Sequence, residues 1–215
     1  MTLNTDLYIN QAKNWPDQGR HIMAQFDHES IIVYQAYRPE IGNYAINNQK
    51  FDDPFSLNRM TWIKPNFLWM MYRSGWAQKE GQTIILAMRL RLNAFVHYLK
   101  HSVYSSFQPD IYDNKDQWND LLRKSSVRLQ WDPDHDPYGA KLHRRAVQIG
   151  LRNEFIQSYA SDDIVEIEDI SSFVREQYNH VKNQNLSSLL VPHERPLIFD
   201  DHSLNDFLKL DINGK

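Results

Sequence analysis

The chain contains no cysteine, and this absence removes several classes of protein at once. Disulfide scaffolds, thiolate nucleophiles, iron–sulfur clusters and cysteine-ligated zinc all need thiols. Only 7 of the 215 residues are glycine, and none of the patterns G-x-x-x-x-G-K-[ST], G-x-G-x-x-G, G-x-S-x-G or H-E-x-x-H is present. Any phosphate site must therefore use side chains or helix N-termini instead of a glycine-rich loop.

The chain also lacks an excess of charge and a long apolar run. Its formal net charge is −3, with 24% charged and 41% hydrophobic residues, which is typical of a folded globular protein. No stretch approaches about 18 consecutive apolar residues, and the N-terminus has no basic start followed by an apolar core. Together with the missing thiols, these features predict a cytoplasmic protein that does not contact a membrane.

A chain of 215 residues is long enough for one domain with a sizeable core. Clear patterning begins near Arg20, so we expect an N-terminal arm over residues 1–19, a single domain over 20–200 and a C-terminal tail over 201–215. No internal period of roughly 20 to 50 residues indicates a repeat array.

The periodicity of apolar residues predicts a mixture of strands and helices. Strands are expected at HIMAQF, SIIVYQAY, QTIILAMRL, SVRLQWD, AVQIGL and IVEIEDI, and SSLLVPHERPLIF could add another. Helices are expected at RLNAFVHYLKHSVY, NEFIQSYAS, SSFVREQYNHVKNQ and, as a short basic helix, AKLHRR. RPEIGNYAINNQKFDDP is expected to be a loop with a short helical piece. Elements that mix without regular alternation favour the α+β class. We expect a single compact domain with two small, mostly antiparallel sheets and flanking helices.

A further helix is predicted over residues 65–74. Pro65 suits its first turn, and Gly75 suits the position just past its end. Phe67 and Met70 share one face of this helix, while Trp69 lies on another. Because large side chains occupy two faces, we expect the helix to be packed on both sides.

One acidic stretch begins like a calcium-binding loop. Asp132, Asp134 and Asp136 have the right spacing, but Pro137 replaces the turn glycine and His143 replaces the bidentate glutamate. A tight turn after a strand is the favoured interpretation.

Two other patterns also favour ordinary structure over a metal. His97 and His101 are four residues apart on a predicted helix, but no third ligand is identifiable. His193 and Glu194 lie in a proline-bounded segment that is typical of a surface loop. We therefore expect no bound metal.

Three segments place polar side chains where a cleft would use them. Gln35 lies within an apolar strand, so it is either a structural hydrogen-bonding link or a ligand contact. In RMTWIKPNFLWMMYRSGW, cations alternate with indoles and a tyrosine, a combination that holds phosphates and stacks flat rings. The alternative for this segment is that the indoles are core and the cations extend to solvent.

The third segment combines QWDP with HRRAVQIGLR. Its Gln148 is again a polar residue within an apolar run. Arg145 either forms a structural ion pair with Asp132 or, if it faces the cleft, suits a pyrophosphate or carboxylate. Basic groups from distant parts of the chain would then converge on one ligand.

At these segments the sequence resembles a known family. VYQAY, RMTWIKPNFLWMMYRSGWA, VRLQWDPDHD and RRAVQIGL are similar to the bacterial and fungal group called domain of unknown function 4291, over about residues 20–170. That group is similar to the ADP-ribosyltransferase superfamily, whose α+β fold packs two small sheets around an NAD-binding cleft. The resemblance implies transfer of ADP-ribose from NAD to a protein or nucleic-acid acceptor, or a related reaction on RNA ends.

The resemblance implies roles for particular residues. The catalytic candidates are Gln35, Tyr37, Arg73 and Gln148. The candidates for binding NAD are Arg38, Arg59, Trp62, Lys64, Trp69, Tyr72, Gln130, Asp132 and Arg145. The glutamate that often positions the acceptor is not identified, because the E-x-E at Glu166 and Glu168 has no other signature beside it.

Two alternatives to a transferase remain open. One is a non-catalytic module that binds RNA or another nucleotide through the tryptophan and arginine surface. The other is a structural or partner-binding domain whose aromatic residues all lie in the core.

Overall fold

The computed structural model describes residues 3–212. Within this range there are eight α-helices and a 3₁₀ turn at Leu186–Ser188. The helices are α1 Tyr8–Ala12, α2 Pro39–Asn48, α3 Phe67–Ser74, α4 Leu92–Lys100, α5 Lys115–Lys124, α6 Glu154–Ala160, α7 Ser171–Lys182 and α8 His202–Leu208. No helix of the described residues is long and apolar enough to cross a membrane.

Eleven strands within residues 3–212 form four sheets. The strands are β1 Thr5–Leu7, β2 Ile22–Ala24, β3 Ser30–Tyr37, β4 Thr61–Ile63, β5 Ile84–Arg91, β6 Ser102–Tyr104, β7 Val127–His135, β8 Lys141–Leu151, β9 Ile164–Asp169, β10 Leu190–Pro192 and β11 Arg195–Leu197. The two larger sheets have the orders β3-β5-β9 and β4-β8-β7-β6, and only β6 with β7 is a parallel pair. β1 pairs with β10 and β2 with β11. The predicted α+β class with small, mostly antiparallel sheets is confirmed, but the described residues form four sheets instead of the predicted two, because β1 with β10 and β2 with β11 add two short pairs.

One apolar core fills the space between the two larger sheets. Ile31, Val33 and Leu86 face it from β3 and β5, and Leu129 and Ile149 face it from β7 and β8. The helix α4 contacts strands of both sheets and closes the core. Alternate residues of each strand point into this space, which explains the alternation in SVRLQWD.

A second core lies on the opposite face of the three-stranded sheet. Ile32 and Ile85 of that face pack with Met71 of α3 and Val174 of α7. The helix α3 also contacts β7, so it is packed on both sides as predicted.

The ends of α3 follow from single residues. The Asn66 side chain accepts a hydrogen bond from the Trp69 N–H at 2.7 Å, which caps the first turn. Gly75 ends the helix with a φ of 59°, the left-handed conformation that glycine adopts without steric cost. The predicted end of the helix at Gly75 is confirmed.

The structure corrects the prediction of a short basic helix at AKLHRR. Ala140 ends a tight turn at 136–140, and the residues from Lys141 onward belong to β8, which pairs with β7 across that turn. The Asp136 carboxylate accepts hydrogen bonds from the N–H groups of Tyr138 and Ala140 and stabilises that turn. Hairpin pairing therefore outweighs the local composition of this segment.

The segments outside the main pattern are more structured than the sequence indicates. The arm includes β1 and α1, α2 is ten residues long, and α5 was not predicted. The tail includes α8, whose Leu204 and Leu208 join the core between the sheets. Residues 1–2 of the arm and 213–215 of the tail lie outside the described residues.

Candidate functional site

A cleft of about 600 Å³ lies where the two larger sheets meet. The sheets are joined there by a hydrogen bond from the Tyr34 N–H of β3 to the Lys64 carbonyl, just after β4, at 2.7 Å. The volume is within the roughly 300–1,000 Å³ usual for small-molecule sites. The predicted site residues that line it are Gln35, Tyr37, Arg38, Arg59, Trp62, Lys64 and Arg73.

Every charged side chain that lines this cleft, among the residues described, is a cation. Arg59 and Arg73 are exposed at its rim, and Arg73 donates a hydrogen bond to Gln82 at 3.3 Å. Arg38 is also exposed, with its Nε 3.4 Å from the Glu40 carboxylate. Such a surface attracts anions, and an arginine fork suits phosphate oxygens in particular.

Gln35 lies at the base of the cleft and is 5% exposed. Its amide donates to the Thr61 hydroxyl at 2.8 Å and to the Trp62 carbonyl at 2.9 Å. Its carbonyl oxygen accepts a hydrogen bond from the Tyr159 hydroxyl. Because both amide hydrogens and the oxygen are engaged, this side chain links β3 to β4 instead of presenting free donors to the cleft.

Two half-buried aromatic rings form walls of the cleft. Tyr37 packs against Phe51 and Phe55, and burial raises the pKa of its hydroxyl. Trp62 of β4 lies opposite Gly150 of β8.

Glycine is required at position 150 by the close approach of its neighbours. A Cβ there would lie 2.6 Å from Met60 Sδ and 3.0 Å from Trp62 Cζ2. Gly150 therefore allows the indole of Trp62 to lie across β8.

Lys64 forms part of the cleft wall and is 6% exposed. Its Nζ donates to the Trp62 carbonyl at 3.1 Å and lies 4.9 Å from the centre of the Trp69 ring. Burial and the nearby Arg73 lower the pKa of the Lys64 amine to about 7, while Asp132 acts in the opposite direction. In a large fraction of the molecules the Lys64 amine is therefore neutral at physiological pH.

Asp132, Gln130 and Gln148 form a hydrogen-bonded group on β7 and β8. Gln130 donates to one oxygen of Asp132 at 2.8 Å, and Gln148 donates to the other at 2.6 Å. None of the three lines the cleft, although Asp132 is near enough to influence the Lys64 amine. These three residues therefore lie beside the cleft and are not part of its lining.

Trp69 and Tyr72 lie on α3 beside the cleft. Trp69 is buried, does not line the cleft, and lies against the Lys64 amine. Tyr72 is exposed and stacks on His135, with ring centres 3.5 Å apart. The structure therefore gives Trp69 a role in placing Lys64 and brings Tyr72 to a different surface.

Arg145 occupies a second hollow, of about 370 Å³, together with Gln130. Its Nη2 atom donates to the Trp131 carbonyl at 2.9 Å, so the predicted contact of Arg145 with Asp132 is replaced by a backbone contact. Arg20, which was not predicted as a site residue, lines the same hollow. The basic groups of the three segments therefore lie at two separate places, the cleft and the second hollow.

The structure also corrects the interpretation of Glu194 as a surface residue. His193 is exposed as expected, but Glu194 is 3% exposed and accepts a hydrogen bond from the Phe67 N–H at 2.7 Å. Burial raises the pKa of the Glu194 carboxyl well above its usual value.

The buried ion pair of Arg144 and Asp134, 2.7 Å apart, lies near Glu194. Together these groups fix the start of α3, the helix that carries Trp69 and Arg73. The prolines around Glu194 gave no signal of its burial.

The arrangement suits a ligand that is anionic and carries a flat ring. Cations at the rim offer contacts for phosphates, and Trp62 and Tyr37 offer ring surfaces. No group of three or more metal-ligating side chains occurs in residues 3–212.

Residues 21–197 match the family described as Domain of unknown function (DUF4291). A comparison with curated proteins found no similar sequence. The family match extends over most of the chain. It includes every residue that lines the cleft and all the residues that line the second hollow except Arg20. The chain therefore belongs to the DUF4291 family.

Proposed function

We propose that the protein binds NAD in the cleft and acts as an ADP-ribosyltransferase-like enzyme. The observation that carries this proposal is the charge of the cleft, because all the charged side chains that line it within the described residues are cations. NAD carries a pyrophosphate that such a surface would hold, and a nicotinamide ring that Trp62 or Tyr37 would stack upon. The resemblance of its family to the ADP-ribosyltransferase superfamily adds support.

In the proposed reaction the bond between nicotinamide and ribose C1′ breaks. The bonding electrons leave with nicotinamide, which becomes neutral, and C1′ forms a bond to an oxygen or nitrogen of the acceptor. The acceptor loses its proton to a base. The chain's part is to hold the pyrophosphate through Arg59 and Arg73 and to orient the ribose, since positioning alone contributes strongly to such transfers.

The role proposed for Gln35 changes from catalytic to positioning. Its amide fixes Thr61 and the Trp62 backbone at the base of the cleft. Gln148 likewise holds Asp132, whose charge acts on the Lys64 amine. Tyr37 and Arg73 remain the predicted catalytic residues that face the cleft.

Tryptophan fluorescence during titration with NAD tests this function, with ADP-ribose, ATP and a short single-stranded RNA as comparisons. Saturable quenching by NAD and ADP-ribose, lost in Trp62→Phe, would support the proposal, and release of nicotinamide would then establish turnover. Salt-sensitive quenching by RNA alone would identify the binding module instead. Absence of any response at millimolar NAD, checked by calorimetry, would overturn the proposal.

A further inference from the structure

Lys64 differs from the other lysines of the described chain in its surroundings. Among residues 3–212 it is the one lysine that is buried. Within the same range its Nζ forms no ion pair, and its recorded hydrogen bond goes to a neutral acceptor, the Trp62 carbonyl. A buried ammonium without an acidic partner is costly, so the site favours the neutral amine.

The charged groups that face Lys64 come from two elements. Arg73 on α3 opposes the ammonium form, whereas Asp132 on β7 favours it. Asp132 is itself held by the amides of Gln130 and Gln148, which occupy both of its oxygens. The balance of burial and Arg73 against Asp132 lowers the pKa of the amine to about 7.

The position of the amine is as important as its charge. A neutral Nζ that donates one hydrogen to the Trp62 carbonyl keeps a lone pair for reaction. The side chain lines the cleft, whose rim carries Arg59 and Arg73. A nucleophile therefore lies in the same space as groups that hold phosphate.

We propose that Lys64 is a nucleophilic amine and that the cleft accepts a phosphate-bearing aldehyde, with which Nζ forms an imine. The Nζ lone pair attacks the carbonyl carbon, and the carbonyl π electrons move to oxygen. Nζ then releases one proton and the oxygen takes one up, which gives a neutral carbinolamine. The carbinolamine then loses its hydroxyl group and the remaining nitrogen-bound proton, which leave together as water. The amine and the aldehyde thus yield an imine and one water.

This inference goes beyond the proposed function and does not depend on it. Transfer of ADP-ribose from NAD needs no bond to the protein, whereas the imine needs no NAD. The two are related by chemistry, because ring-opened ADP-ribose is itself a phosphate-bearing aldehyde.

Labelling with pyridoxal 5′-phosphate tests the inference. The intact protein is treated with this aldehyde, reduced with borohydride, digested, and analysed by mass spectrometry for the modified lysine. We expect Lys64 to be labelled at least tenfold faster than exposed Lys79 at pH 7, with a rate that rises to a plateau just above neutral pH. Predominant labelling of exposed lysines, with Lys64 among the slowest, would overturn the proposal.

Two controls separate the amine from the phosphate contacts. Lys64→Arg keeps a cation but removes the nucleophile, so the fast labelling must disappear while circular dichroism shows an unchanged fold. Pyridoxal without phosphate must react with Lys64 at least several-fold more slowly, and Arg59→Ala must reduce that difference. Equal rates for the two aldehydes would refute the phosphate-bearing ligand class. If NAD fails to bind but Lys64 is labelled as expected, the proposed function fails and this inference stands.

Discussion

The Nζ atom of Lys64 lies 4.9 Å from the centre of the Trp69 ring, and both side chains are buried. The ring stabilises the ammonium form only partly, since a desolvated cation–π contact contributes on the order of 2 kcal/mol, whereas burying a charge costs considerably more. Burial lowers the pKa of the amine to about 7 from 10.5. The buried Lys64 side chain therefore lowers the free energy of unfolding by an amount that depends on pH.

Lys64→Met should stabilise the fold more at pH 6 than at pH 9. The pKa of Lys64 is lower in the folded state, so its cost is complete below about pH 7 and shrinks as the pH rises toward 10.5. The gain in unfolding free energy should be roughly 2 to 3 kcal/mol larger at pH 6. Urea denaturation at both pH values measures it, with Lys79→Met as the exposed control. An equal gain at both pH values would contradict the expectation.

The arginines of the cleft and of the second hollow should differ in their effect on NAD. Arg59→Ala and Arg73→Ala each remove a rim cation, and a charged hydrogen bond contributes about 1.5 to 3 kcal/mol, or roughly 10- to 100-fold in affinity. Arg145→Ala should leave the affinity unchanged, since Arg145 lies in the other hollow. Calorimetry on the three variants makes the comparison. Equal weakening by all three would show that the two hollows act on one ligand.

Gln35→Leu should destabilise the protein by about 2 to 4 kcal/mol. The substitution leaves the buried Tyr159 hydroxyl without its partner, which costs about 1 to 3 kcal/mol. It also removes the donor to the Thr61 hydroxyl, which keeps only a 3.5 Å contact with the Tyr37 hydroxyl. Gln82→Leu, which loses a single contact with exposed Arg73, is the matched control and should cost less than about 1 kcal/mol. Chemical denaturation distinguishes the two. Normal stability with lost turnover in Gln35→Leu would favour a catalytic role.

Glu194→Gln should stabilise the protein increasingly as the pH rises above the ordinary carboxyl range. Burial raises the pKa of Glu194 in the folded state, so the folded protein binds a proton that the unfolded chain has released, and stability falls as the pH rises toward the folded pKa. The glutamine oxygen still accepts the hydrogen bond from Phe67 N–H. Thermal unfolding at pH 5 and pH 8 compares this variant with wild type, and exposed Glu176→Gln serves as control. A difference in melting temperature that does not change with pH would rule out the buried-carboxyl explanation.

Much of the fold was predictable from local patterns. The capped helix α3 and the alternating strand β7 were predicted because one residue type at a fixed position, or a period of two, determines each. The basic run in β8 was assigned to a helix because its pairing with β7 depends on a hairpin whose register is not visible locally. The helix α5 was missed because its apolar face is small: Trp118 packs against the core, but none of the side chains of this helix is fully buried.

The site was predictable only in part, because the positions of some of its residues depend on contacts between distant parts of the chain. Arg59, Trp62, Lys64 and Arg73 are close in sequence, and a single loop–strand–helix segment brings them to one cleft. Arg145 and Gln130 come from β8 and β7, and which hollow they face depends on strand geometry. The burial of Glu194 depends on a contact with Phe67, more than a hundred residues away in sequence.

The hydrogen bonds of Gln35 and Tyr34 have a mechanical consequence for the cleft. They join β3 to β4, so the angle between the two larger sheets and the width of the cleft are controlled by the same few contacts. A ligand that bridges Arg59 and Arg73 would span this joint from the outside and resist its opening. Binding should therefore slow hydrogen–deuterium exchange at the Tyr34 amide, because local opening of the joint and release of the ligand would become one event.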